Sequence, residues 1–173
     1  ANAPFDRYKY GGDQQAISQS AQRGAQLFHS NRLGCNACHS GLHFTDSIPE
    51  PRYHNTGLYN RDGKGGLPAG VKGLIDHTGL VGDMGKFKTP SLRNVAVTAP
   101  YMHDGSVKTL DDALSHYEAG GRSAALGRRS PLTSPRIGKF KLTTQERKDL
   151  IAFLNSLTDE EFLNASRFQS PFR

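Results

Sequence analysis

Apolar and small residues recur with helical spacing in three places along the chain. From Ser18 the positions Ala21, Gly24, Ala25 and Phe28 fall three, four and seven residues apart, which is one face of a helix. Gly24 weakens that helix, so its use is to let another helix approach closely. A second helix is signalled at Thr109-Leu110-Asp111-Asp112, where a Thr cap and an acid three residues later satisfy the free amides of the first turn. At 100° per residue its Leu110, Ala113, Leu114 and Tyr117 share one narrow stripe, whereas His116 lies off the centre and is expected at the rim. A third helix opens with the same device at Thr143-Thr144-Gln145-Glu146 and carries Leu150, Ile151, Phe153, Leu154 and Leu157 on its apolar side. The first and third helices are expected to cross.

Between these elements the pattern is lost. Residues 1–13, with Pro4 and Gly11-Gly12, read as an irregular lead-in. Residues 40–100 are dense in turn signals, among them Asp62-Gly63-Lys64-Gly65-Gly66, with room for one small hairpin. No Gly-Lys-Ser/Thr follows those glycines, so they do not make a phosphate loop. Residues 120–140 read as a connecting loop. The tail 158–173 carries Phe162, Phe168 and Phe172 among polar residues and is expected to pack back on the domain. The reading is one all-α, loop-rich domain over residues 1–173.

Composition narrows the picture. A chain of 173 residues buries roughly 70 % of the surface its unfolded form exposes. With 19 Gly, 9 Pro and a 35 % apolar fraction, its core needs supplementing by something other than side chains. No run of 18 apolar residues occurs, so no membrane insertion by a helix is expected. The chain opens on Ala1 with no charged-then-apolar leader, so any export signal is expected to have been removed or left out. The net charge of +6 is scattered and fits a basic surface or docking to an acidic redox partner. Nucleic acid is not expected, because no aromatic-basic platform accompanies the charge.

The supplement is indicated by Cys35-Asn36-Ala37-Cys38-His39. Cys-x-x-Cys-His is the spacing that attaches haem c covalently: two thiols one turn apart add to the two vinyl groups of one porphyrin, and His39 reaches the iron. A structural zinc site needs four N or S ligands, and this chain has two cysteines. A thioredoxin-type pair belongs beside a βαβ pattern, which is absent around it. A disulfide this short would staple almost nothing. One haem c is therefore expected, near the crossing of the first and third helices, and with it a periplasmic location, since bacteria attach haem c outside the cytoplasm.

The residue opposite His39 decides the chemistry. An open position admits peroxide or oxygen, Met raises the reduction potential, and an anionic oxygen lowers it. The candidates are Met84, Met102, His116 and Tyr117. Tyr117 lies on the inward stripe of its helix, where an ordinary core tyrosine with a bonded hydroxyl is the competing reading. Met84 sits in the flexible, polar loop Gly82-Asp83-Met84-Gly85-Lys86-Phe87, as a ligand of a small electron carrier would. Met102 is more simply an apolar wall residue. Periodicity leaves Tyr117 and Met84 both in play. Arg93 is a candidate partner for a haem propionate, because its planar fork suits a carboxylate. His103 is a candidate for the haem or domain edge, and His43 and His54 fit supporting or surface roles.

Several of these segments form a recognisable series. Gly24-x-x-Leu27-Phe28 precedes the haem run and His54-Asn55-Thr56-Gly57 follows it. Then come Phe87-Lys88-Thr89-Pro90-Ser91-Leu92-Arg93-Asn94-Val95, Thr98-Ala99-Pro100-Tyr101-Met102-His103-Asp104-Gly105-Ser106, Thr109-Leu110 and Ile151-Ala152-Phe153-Leu154-x-x-Leu157. In this order, over about residues 3–157, they resemble the C-terminal haem domain of the bacterial di-haem cytochrome c peroxidase and MauG superfamily. The opening Pro4-Phe5-Asp6-Arg7 resembles the MauG-like branch. The resemblance implies a cytochrome c-type haem domain with Tyr117 at the place where peroxidases carry a Met ligand, hence a His39/Tyr117 haem suited to high oxidation states. It implies Ca²⁺ held in part by the carbonyls of Thr98 and Pro100, with a further Asn ligand from the other half of the family's fold. It also implies a second haem domain at which hydrogen peroxide reacts, while this one transfers and stores electrons. The departures are a single haem run and no Trp where the family places one between its haems. The rival readings are a stand-alone electron carrier with His39/Met84 ligation and a five-coordinate haem with its own peroxidase activity.

Overall fold

The computed structural model describes residues 2–48, 52–70 and 72–168. The first helix, α1 (Pro4–Lys9), lies inside the segment read above as irregular. Pro4 enters with its φ already set for a helix, and the Asp6 carboxylate accepts from the Ala3 amide at 3.0 Å, so six residues suffice. Tertiary contact completes the helix: Phe5 packs edge-on against Phe153 at 5.1 Å and Phe44 at 5.7 Å.

Helix α2 (Gln19–Phe28) starts where Ser18 accepts from the Ala21 amide at 3.1 Å. Two short strands, β1 (Tyr53–His54) and β2 (Phe87–Lys88), pair antiparallel with Tyr53 opposite Lys88 and His54 opposite Phe87. The expected hairpin is thus a ribbon closed by a long excursion, which holds α3 (Ile75–Thr78). Helix α4 (Leu110–Glu118) carries the Thr109/Asp112 capping box. The loop read over 120–140 contains one more turn of helix, α5 (Arg122–Ala125), begun after Gly120 and Gly121. At Gly121, φ is +102° and a Cβ would lie 2.8 Å from the Thr56 carbonyl, so only glycine fits.

Helix α6 (Thr144–Asn155), with its Thr143/Glu146 capping box, packs against α2. A Cβ on Gly24 would stand 1.9 Å from the Asp149 carbonyl oxygen, so the absent side chain is what allows this approach. The crossing is pinned by the Asp149 carboxylate, which accepts from Arg23 twice at 2.9 Å, from Ser20 at 2.6 Å and from Gln145 at 2.9 Å. The Arg23 bond, ahead of the burial that opposes it, holds the Asp149 carboxyl well below the usual carboxylate range. Phe5, Phe28, Phe44, Leu150, Phe153 and Leu157 fill the core around this crossing.

The tail corrects an expectation. Asp159 caps α7 (Glu160–Asn164), donates its own amide to Asn94 at 2.8 Å and accepts from the Asn2 amide at 2.7 Å. These polar ties dock the start of the tail, but Phe162 and Phe168 face outward and cover one another at 4.7 Å instead of the core. Phe172 lies outside the described residues. The structure is helical and loop-rich with one two-stranded ribbon, as the sequence indicates. No helix among the described residues is long and apolar enough to cross a membrane.

Candidate haem site

The attachment run begins where Gly34, at φ +68°, turns the chain out of the segment after α2. Cys35–Ala37 then form one tight helical turn, closed by the Cys38 and His39 amides donating to the Cys35 carbonyl at 3.3 and 3.0 Å. Both cysteines are free and half-buried. Burial pushes the Cys35 thiol up to about 11, and burial with the nearby Asp46 charge raises Cys38 as well. The thiols are therefore protonated near neutral pH.

His39 is oriented by its neighbour. Its Nδ1 lies 3.0 Å from the carbonyl of Phe44, a residue buried in the core with a left-handed φ of +51°. Nδ1–H donation to that carbonyl fixes the tautomer and leaves Nε2 as the donor to a metal. Burial, outweighing the opposing Phe44 carbonyl, lowers the His39 pKa, so the ring is neutral as ligation requires.

Tyr117 completes the arrangement. Burial first, then the fields of the Cys38 and Cys35 thiols, push its phenol up to about 12. The phenol is close enough to both sulfurs to feel their charge, and the side chain is only partly exposed. Among the described residues no hydrogen-bond partner meets its hydroxyl, so it is not the satisfied core tyrosine of the competing reading. Two thiols spaced for two vinyl groups, an oriented neutral imidazole and an unpartnered phenol fit haem c.

His116 is not at the rim, as its angle on α4 predicts, but buried at 6 % exposure. Residues 56–57 and α5 cover that face of α4: His116 Nε2 lies 3.0 Å from the Thr56 carbonyl, and Nδ1 accepts from the Arg122 amide at 3.2 Å. Burial lowers its pKa to about 4. With both nitrogens engaged it does not serve as an iron ligand. Met84 lies in a pinned loop, not a flexible one: Asn55 donates to its carbonyl at 2.9 Å, and Asp83 bridges to Thr78 and Lys86 at 2.8 and 3.0 Å. Met102 takes a left-handed φ of +68°.

Arg93 is engaged within the chain. Its guanidinium pairs with this chain's own Asp6 at 2.6 and 2.7 Å and donates twice to the Leu42 carbonyl at 2.9 and 2.7 Å. The planar fork is thus matched by the carboxylate of Asp6. His103 lies exposed and stacks on Phe87 of the ribbon at 3.9 Å. Thr98 and Pro100 are exposed on either side of Ala99. His43 offers its carbonyl to Ser91 at 2.7 Å and lines a surface groove of about 540 Å³ with Leu42 and Arg52. His54 pairs with Asp46 at 2.9 Å.

Two residues of this neighbourhood carry no sequence signal. Asp46 stands in an unpatterned stretch, and Arg136 comes from the 120–140 loop to bond the Ala37 carbonyl within the attachment run. Neither belongs to a helical stripe or a spaced motif.

The family model for cytochrome c matches residues 21–158. The chain belongs to the cytochrome c family. This cytochrome c domain is 42 % identical over 157 residues to the methylamine utilization protein MauG of Methylophilus methylotrophus, covering 90 % of this chain and 41 % of that protein. It is 38 % identical over 181 residues to the cytochrome-c peroxidase IdrP1 of Denitromonas iodatirespirans, covering 91 % of this chain and 45 % of the relative. A crystal structure of a MauG-like protein associated with microbial copper homeostasis superposes with a TM-score of 0.91 at 45 % identity, over 99 % of this chain and 52 % of that one. The domain thus spans about half the length of the proteins it matches, and its resemblance to the MauG and cytochrome c peroxidase superfamily holds over nearly its whole length.

Proposed function

We propose that this cytochrome c domain is the electron-transferring and redox-storing part of a di-haem, peroxidase-type oxidoreductase of the MauG kind, with hydrogen peroxide reacting at a second haem domain. The observation that carries the reading is the Tyr117 phenol, without a hydrogen-bond partner among the described residues and within electrostatic reach of both attachment cysteines. A haem bound here supplies a one-electron iron couple. Cys35 and Cys38 would anchor it, and His39 through Nε2 and Tyr117 through its oxygen, once the phenolic proton is lost, would hold the iron. A phenolate is an anionic, hard donor, so Tyr117 would favour oxidised iron and would compete with peroxide for it.

The other assignments belong to the same proposal. One haem is attached, in the periplasm. The partner is a second haem domain or a redox protein. The exposed carbonyls of Thr98 and Pro100 would supply only part of a Ca²⁺ site, the rest coming from that partner. Among the described residues the three-residue group of metal-binding side chains is Cys38, Asp46 and His54, well separated in sequence from Thr98.

The haem-loaded chain alone is expected to titrate as a reversible one-electron couple and to show no peroxide turnover above that of a six-coordinate cytochrome c control. Sustained peroxide turnover by this chain alone would contradict a purely electron-storing role.

A further inference from the structure

The Cys38 sulfur, an Asp46 carboxylate oxygen and a His54 ring nitrogen all lie within 4.8 Å of one another. A cysteine joined to a porphyrin is no longer a thiolate ligand, so this trio is not a metal site in the loaded protein. What remains beside the Cys38 sulfur is a carboxylate withdrawn from water. The Asp46 side chain is only 8 % exposed, and its amide donates to the Cys38 carbonyl at 2.6 Å, which fixes it to the attachment run. Its Oδ2 lies 2.9 Å from His54 Nε2 and 4.0 Å from Arg136 Nη1. Its Oδ1 is buried with no hydrogen-bond partner among the described residues, so part of its charge is uncompensated. His54 is placed by β1, and its Nδ1 lies 3.5 Å from Ser134 Oγ.

Burial opposes the charge on Asp46, but the bond from His54, the nearby Thr89 hydroxyl and the field of Arg136 outweigh it and hold the carboxyl below its ordinary value. The group is ionised throughout the neutral range. A fixed negative charge next to the macrocycle interacts more favourably with ferric than with ferrous haem, and low solvent access preserves that difference.

We propose that Asp46 sets the haem potential: held by His54, it is a fixed anion at the Cys38 edge that favours the oxidised iron, while Arg136 partly offsets it. The electron comes from the electrode or the redox partner, and Asp46 neither gains nor loses a proton in the step. The inference rests on thioether attachment at Cys38 and not on the choice of Tyr117 as ligand.

The test is redox titration of the haem-loaded chain at pH 8, above the range in which a free imidazole is charged. Asp46→Asn is expected to shift the equilibrium toward the reduced form by about tenfold, a rise of about 59 mV for one electron. Arg136→Gln should move it the other way, and Asp46→Glu should restore most of the wild-type value. The opposite signs separate a charge effect from loosened packing, which would move both variants alike. Visible spectra of the same samples report the axial ligands independently, so a failure of the Tyr117 assignment is distinguishable. A shift below twofold in Asp46→Asn, or shifts of the same sign in Asp46→Asn and Arg136→Gln, would overturn the proposal.

Discussion

Tyr117→Phe is expected to convert the ferric, haem-loaded domain from a six-coordinate low-spin species to a predominantly high-spin one, the largest spectroscopic change of any single substitution here. Phenylalanine keeps the ring, its place on the inward stripe of α4 and its contact with the His116 ring at 5.1 Å. Only the oxygen is lost. Because the hydroxyl has no hydrogen-bond partner among the described residues, its removal leaves no buried group unsatisfied. The unfolding free energy of the unloaded chain should change by no more than about 0.5 kcal/mol. Electronic absorption and electron paramagnetic resonance of the ferric protein read the spin state, and denaturant melts of the unloaded chain read the stability. A low-spin spectrum identical to wild type would assign the position to another side chain, with Met84 the first to examine.

Arg93→Ala carries the largest expected loss of stability. Arg93 and Asp6 are both sheltered, with side-chain exposures of 13 % and 7 %. Removing the cation strands a charged carboxylate inside the fold, and breaking such a buried pair costs about 3–5 kcal/mol. The same substitution removes both bonds to the Leu42 carbonyl and the cation from above the Phe44 ring at 5.4 Å. Phe44 supplies the carbonyl that orients His39, so the loss should reach the haem site as well as the core. Urea denaturation should show a lower midpoint with an unchanged slope. The paired replacement Asp6→Asn with Arg93→Met, which leaves no charge behind, should recover a large part of the loss. If the single and paired variants prove equally unstable, the ion pair is not what the site depends on.

These residues show what was legible in the chain and why the rest was not. Gly24 and the Thr109 and Thr143 capping boxes follow from rules that act within one or two helical turns, and all appear in the structure, whereas of the expected α4 stripe only Leu114 is fully buried. The haem run was legible because its chemistry is compressed into five residues. His116 was misplaced because a helical wheel assumes one core, whereas α4 is covered on a second face by residues 56–57 and α5. The Asp6–Arg93 and Asp46–Arg136 pairings join residues about 90 positions apart, and nothing local to Asp6, Asp46 or Arg136 marks its partner. Pro4 at a helix start was a local signal, but α1 depends on Phe5 finding Phe153, which no local pattern reveals. Phe162 and Phe168 show the reverse: apolar residues in a polar tail suggested burial, and the polar caps at Asp159 decided otherwise.

The central proposal is that the Tyr117 oxygen, and not a methionine sulfur, would be the second iron ligand beside His39. The most direct measurement is the near-infrared spectrum of the wild-type ferric domain. His/Tyr ligation predicts no sulfur-to-iron charge-transfer band, and a clear band of that kind would contradict the account.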